Sequence, residues 1–148
     1  MTKPHSDAAK RPVKDQVRQF ESVRAAHQSE MVEDYVELIA DLIHLNGSAR
    51  PKDIAERLGV TKPTVTKNLA RLKRENLISH EPYRPIQLTQ AGRRLATSCR
   101  ERHRTVVDFL IALGISANTA EHDAEGIEHH VSAETLRVFN NFTRAKHK

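Results

Sequence analysis

The sequence predicts a mainly α-helical fold with a small β wing, an N-terminal helix-turn-helix followed by a C-terminal helical part. Three observations carry that prediction. Apolar residues recur at helical spacing along most of the chain. A glycine stop, a proline-led start and a second glycine stop lie close together between residues 47 and 63. Two short extended runs flank one proline-bounded turn.

The first dozen residues, with Pro4 and Pro12 among small and charged side chains, offer too little apolar surface to offset ordering entropy and are expected to be a mobile tail. Val17, Phe20 and Val23 form a weak stripe that allows a short helix or ordered arm between Val13 and Gln28. From Ser29 to Asn46, Val32, Tyr35, Val36, Ile39, Leu42 and Ile43 share one helical face, and Gly47 and Ser48 end it. Pro51 opens a second helix through Ile54, Ala55 and Leu58, stopped by Gly59. Thr61 is placed to cap a third, in which Pro63 is tolerated in the first turn and Val65, Leu69 and Leu72 form the buried side. Leu77 to His80 and Ile86 to Thr89 read as a β-hairpin around Glu81-Pro82-Tyr83-Arg84-Pro85. A helix from Gln90 to about Leu113 breaks at Gly114, and two more occupy Ala117 to Glu128 and Ser132 to Ala145.

Composition narrows the function classes. The 148 residues hold one cysteine, Cys99, so a disulfide scaffold and a multi-cysteine zinc framework are excluded, and Cys99 reads as a small surface or helix-face residue. No apolar run approaches a membrane span, and the N-terminus lacks the apolar core of a signal peptide, so a cytoplasmic location is expected. The net charge of +5 conceals a strong segregation. Residues 28–49 carry five acidic and no basic residues, whereas residues 50–104 carry fourteen Lys/Arg against five Asp/Glu. The basic block coincides with the helix-turn-helix and hairpin, which is the order of a winged helix-turn-helix, and together they predict double-stranded DNA as a partner. Thr61, Lys62, Pro63, Thr64, Thr66, Lys67, Asn68 and Arg71 fall on the exposed side of the third helix, with donors and cations suited to base edges and phosphates, and Arg84 sits at the hairpin tip.

Two acidic motifs lie outside the basic block. Asp34 and Glu37 are three residues apart on one helical face, and Glu125, Glu128 and His129 stand at i, i+3, i+4. Either set could hold a cation or be an ordinary charged surface, with His129 pairing to Glu125 across one turn. Catalytic alternatives find little support. No Glu-x-x-His occurs for a di-iron centre, the histidine pattern of a zinc peptidase is incomplete, and five unclustered glycines make no phosphate loop, so the chain does not read as an enzyme.

From Glu30 to Phe142 the chain resembles the manganese transport regulators of the diphtheria-toxin-repressor family. The resemblance rests on VEDYVELI (32–39), DIAERLGVTKPTVTK (53–67), LTQAGRRLA (88–96), RHRTVVDFLIALGI (102–115) and DAEGIEHHVS (123–132). It implies a homodimer with an N-terminal winged helix-turn-helix and a C-terminal helical dimerisation domain. It places metal ligands on Asp34, Glu37, His103, Glu125, Glu128 and His129, the two later glutamates bridging two ions per subunit. An N-terminal segment of about 25 residues departs from the pattern. The implied division is an N-terminal extension over 1–27, partly disordered, a DNA-binding domain over 28–95 and a metal-binding and dimerisation domain over 96–148. An oxygen-rich set with two imidazoles and no sulfur suits Mn²⁺ rather than copper or zinc, with Fe²⁺ next in ligand preference. The expected function is Mn²⁺-responsive transcriptional control through a palindromic operator, most simply repression of manganese uptake genes. The alternatives are an iron-responsive regulator of the same family and a winged-helix regulator sensing an organic ligand.

Overall fold

The computed structural model describes residues 11–148. Six helices and one two-stranded sheet follow in the order α1 (Val13–Asn46), α2 (Pro51–Leu58), α3 (Lys62–Arg74), β1 (Ile78–Ser79), β2 (Gln87–Leu88), α4 (Gln90–Ala112), α5 (Ala117–Ile127) and α6 (Ala133–Lys146). The mobile tail expected for the first dozen residues lies almost wholly outside the described residues. The short helix or arm expected before Gln28 is corrected: it is the first half of α1, which runs unbroken for 34 residues, about 50 Å at the helical rise. No glycine or proline interrupts this stretch, so nothing in it stops the better-anchored second half from propagating backwards. Val13, Val17, Phe20 and Val23 remain exposed.

Two apolar cores organise the molecule. The first gathers Tyr35, Val36, Ile39 and Leu42 of α1 with Ile54 and Ala55 of α2, Val65, Leu69 and Leu72 of α3, Ile78 of β1, Ile86 just before β2, and Ala96 of α4. Gly59 allows the tight turn between α2 and α3 by adopting φ 67°. The second core joins Val106, Val107 and Leu110 of α4 to Ala120 and Ala124 of α5. Phe109 stacks on Phe139 of α6 with ring centroids 3.8 Å apart.

The expected hairpin forms, with Ile78 opposite Leu88 and Ser79 opposite Gln87, but only two residues of each run pair. The wing is fastened to α4 at Thr89, whose hydroxyl donates to the Asn76 carbonyl (2.7 Å) and accepts from the Gly92 amide (3.0 Å). Gly92 packs so tightly that a Cβ there would run into the Leu77 carbonyl oxygen. Helices α1 and α4 each span both halves, and the expected boundaries at 28 and 96 fall inside them. The charged middle of α1 and its contribution to the helix-turn-helix core thus lie on one continuous helix.

Candidate metal centre and DNA-reading surface

The two acidic motifs converge where α1, α4 and the end of α5 meet. Helix α5 stops at Ile127, with Glu128 as its C-terminal cap, so His129 lies beyond the helix and is not a turn-mate of Glu125. Its imidazole reaches across to α1. His129 Nε2 is 3.1 Å from Asp34 Oδ1 and 3.2 Å from Glu128 Oε1. On α4, His103 Nδ1 lies 2.9 Å from Glu128 Oε2 and 3.8 Å from Glu125 Oε1.

Glu128 is only 1% exposed, yet neither of its oxygens has a hydrogen-bond partner among the described residues, and the same holds for His129 Nε2 and Glu37 Oε1. Nitrogens approach the Glu128 carboxylate without the alignment of a hydrogen bond. Leaving a buried carboxylate without partners is costly, and a cation relieves that cost directly. The donor set of carboxylates and imidazoles fits a divalent ion of the manganese–iron class. Glu125 is 68% exposed and faces, with Glu37 and His103, a cavity of about 320 Å³ that adjoins the cluster.

The electrostatics reflect the crowding. Burial and the nearby Glu37 charge push the Glu128 carboxyl up to about 7. Burial likewise raises Glu37. His129 is pushed the other way from its burial, which alone would lower it: the neighbouring Asp34 carboxylate and the hydrogen bond to Glu33 hold its proton and raise it to about 10. Burial also works to lower His103, but the Glu121 hydrogen bond and the neighbouring Glu128 charge raise it. Protons thus compensate part of the acidic charge, and a cation entering the cluster must displace them.

Three participants carry no signal in the sequence pattern. Glu33 accepts from His129 Nδ1 (2.6 Å) and pairs with Arg102 Nη2 (2.8 Å). Arg102 in turn contacts Cys99 Sγ (3.2 Å). Glu121 holds His103 Nε2 (2.7 Å). Glu33 neighbours Asp34 but lies outside the Asp34–Glu37 spacing, so periodicity gives it no role. Of the two readings of Cys99, surface or helix face, the surface one is corrected: it is fully buried on the inner face of α4, where burial raises its thiol to about 12.

On the other surface, Thr61, Lys62, Pro63, Thr64, Thr66 and Lys67 are all exposed along the first turns of α3. Thr61 accepts from the Thr64 amide (3.3 Å), and the Thr66 hydroxyl donates to the Lys62 carbonyl (3.1 Å). Lys62 and Lys67 make no ion pair among the described residues. Arg71 is half-buried and paired with Glu75 (3.0 Å). Arg84 reaches Glu81 only loosely, at 3.8 Å. Tyr83, beside it, is the most exposed large side chain of the wing and was not among the expected contacts. Asn68 is corrected: its amide turns inward and donates to the Tyr35 hydroxyl (3.0 Å), tying α3 to α1 one residue from Asp34.

A winged helix with a cationic reading helix, tied to a helical half through buried carboxylates and imidazoles, defines a cation-responsive DNA-binding regulator. The chain belongs to the iron dependent repressor family: the family's N-terminal DNA binding domain matches residues 27–86, and its metal binding and dimerisation domain matches residues 89–145. It is 52% identical over 132 residues to the transcriptional regulator MntR of Escherichia coli O6:H1, covering 89% of this chain and 85% of that protein. It is 40% identical over 105 residues to the HTH-type transcriptional regulator MntR of Listeria monocytogenes serotype 4a, covering 71% of this chain and 74% of the relative. Among solved structures it resembles the manganese regulator SloR (TM-score 0.67, 30% identity, 76% of this chain and 53% of that one). The apo form of the manganese-activated repressor ScaR is also similar (TM-score 0.65, 27% identity, 73% and 52%). The chain spans about half the length of these solved proteins. No helix among the described residues is long and apolar enough to cross a membrane.

Proposed function

We propose that the protein is a homodimeric, Mn²⁺-responsive transcriptional regulator that acts in the cytoplasm and represses manganese uptake genes through a palindromic operator when manganese is plentiful. The observation that carries this reading is Glu128, buried and unbonded between His103 and His129. In this reading Asp34, Glu37, His103, Glu125, Glu128 and His129 hold two ions per subunit. When bound, these ions supply the positive charge that allows four carboxylates to share one site. The oxygen-rich donor set favours Mn²⁺; Fe²⁺ has similar preferences and is the second reading, in keeping with the family's name.

The chain's own residues provide the coupling. Glu128 and His129 belong to the helical half, whereas Asp34 and Glu37 lie on α1. Drawing these carboxylates and imidazoles together fixes α1 against α4 and α5. Tyr35, next to Asp34, packs in the helix-turn-helix core and holds Asn68 of α3, so the orientation of the reading helix follows that of α1. In a dimer, the two reading helices then take a defined separation near one DNA turn, about 34 Å. Exposed Ile111, Leu113, Val138 and Phe142 in the helical half supply apolar surface for that dimer. A coupling of about 1–3 kcal/mol suffices to change operator occupancy several-fold or more. Thr61, Lys62, Pro63, Thr64, Thr66, Lys67, Arg71 and Arg84 form the DNA-contacting set.

The test is a DNA mobility shift with wild type and Glu128→Gln, each with Mn²⁺, with Fe²⁺ and without metal. Wild type is expected to bind more tightly with Mn²⁺. Glu128→Gln should lose that gain while keeping salt-sensitive, metal-independent binding. An unaltered Mn²⁺ response in the variant overturns the role of Glu128, and a response to Fe²⁺ alone favours the iron reading.

A further inference from the structure

Along α1, His27, Glu30, Asp34, Glu37 and Asp41 alternate at spacings of three and four, so a ladder of metal-ligating side chains occupies one helix face. Its middle belongs to the cluster described above, and Asp41 is taken by Arg100 (2.7 Å). The N-terminal rungs meet a different partner. The turn after α5 presents His130 beside His129, and His130 Nε2 lies 3.1 Å from Glu30 Oε2. The His27 ring stands edge to face against the His130 ring, with centroids 5.3 Å apart. One ligand atom from each of His27, Glu30 and His130 falls within 4.8 Å of the others.

We propose that His27, Glu30 and His130 form a second cation site that takes a borderline divalent ion of the zinc class. The donor set carries the assignment. Two imidazoles and one carboxylate, with room for water at a further position, suit Zn²⁺, whereas the neighbouring oxygen-rich cluster suits Mn²⁺. Zinc also binds nitrogen donors more strongly than manganese does. The pieces are already close: Glu30 is partly buried, His130, though exposed, already sits against it, and the exposed His27 ring stands against His130. Such partial assembly lowers the ordering cost of binding. Glu30 also lies within reach of Asp34 and His129, so the two sites abut through one carboxylate. The ion would clamp the N-terminal part of α1 to the α5–α6 turn, where His27 and Glu30 already meet His130. This assignment stands whether or not the central cluster takes manganese.

The experiment measures zinc and manganese stoichiometry separately on the full chain, by equilibrium dialysis under reducing conditions, for wild type, His27→Gln and His27→Cys. His27 is exposed and lies outside the central cluster, and melting in chelator checks that each variant folds alike. Wild type is expected to hold one more zinc equivalent per chain than His27→Gln, with His27→Cys restoring it because a thiolate is a competent zinc ligand. Manganese stoichiometry should be the same in all three. Equal zinc stoichiometry in wild type and His27→Gln overturns the site. A loss of zinc that His27→Cys fails to restore, or one accompanied by an equal loss of manganese, overturns it as well.

Discussion

Glu33 and His129 are 96 residues apart in the chain and are joined by a 2.6 Å hydrogen bond between Nδ1 and the carboxylate. Glu33 is buried, which alone would raise it, but hydrogen bonds from His129 and Arg102 hold it below the usual carboxylate range, so it accepts and His129 Nδ1 donates. That bond directs the other ring nitrogen, Nε2, towards Asp34 and Glu128. A carboxylate behind a ligating histidine fixes both the ring orientation and the proton position. Glu33→Gln keeps the size but removes the charge, and Mn²⁺ affinity is expected to fall about 10–100-fold. Calorimetric titration checks this; an unchanged isotherm would assign Glu33 to Arg102 alone.

The pH dependence of stability follows from the same cluster. In the folded, metal-free protein Glu128 is raised from 4.5 to about 7 and His129 from 6.5 to about 10. The folded state therefore keeps protons that the unfolded chain has already released. The His129 contribution is fully present below pH 6.5 and is lost as pH rises towards 10; the Glu128 contribution is present below 4.5 and lost as pH rises through 7. The upward shifts of Glu37 and His103 have the same sign. Melting temperature without metal should fall between pH 6 and pH 9. Because Mn²⁺ competes with these protons, the stabilisation it gives should grow over the same interval. A metal-free melting temperature that climbs over this range would contradict the assignment of these protons.

Gly92 tests how the wing is seated. A methyl group there has no space against the Leu77 carbonyl, and the obstruction is backbone rather than a flexible side chain. Gly92→Ala should destabilise the protein by about 1–3 kcal/mol despite alanine's better helix propensity. Urea unfolding measures the difference. A more stable variant would show that helix propensity outweighs the close approach.

Lys67 and Arg71 are expected to differ on DNA. Lys67 is exposed near the start of α3 and makes no ion pair among the described residues, whereas Arg71 is partly buried and paired with Glu75. Lys67→Ala should weaken operator binding by about 1–3 kcal/mol and random-sequence binding by less. Arg71→Ala should act equally on both and flatten the salt dependence. Equal losses on operator and random DNA at Lys67 would make it a phosphate contact.

The sequence alone determined the parts whose cause is local. Gly59, Thr61 and Pro63 specify a tight turn and a capped helix from the preferences of neighbouring backbone, and the apolar spacing of Val65, Leu69 and Leu72 selects the buried side of that helix. The pairing of Asp34 with Glu37, three apart, was legible for the same reason. Periodicity says which side chains share a face, but not which distant element that face meets. Only the tertiary packing of α1 against the end of α5 turned Glu33 towards His129, left Glu128 buried without a hydrogen bond and kept Glu125 largely in solvent. These three glutamates are chemically alike and all belong to acidic helical segments. Their different surroundings come from contacts between residues about a hundred positions apart, where desolvation and neighbouring charge, rather than local backbone preference, set the energy of each carboxylate.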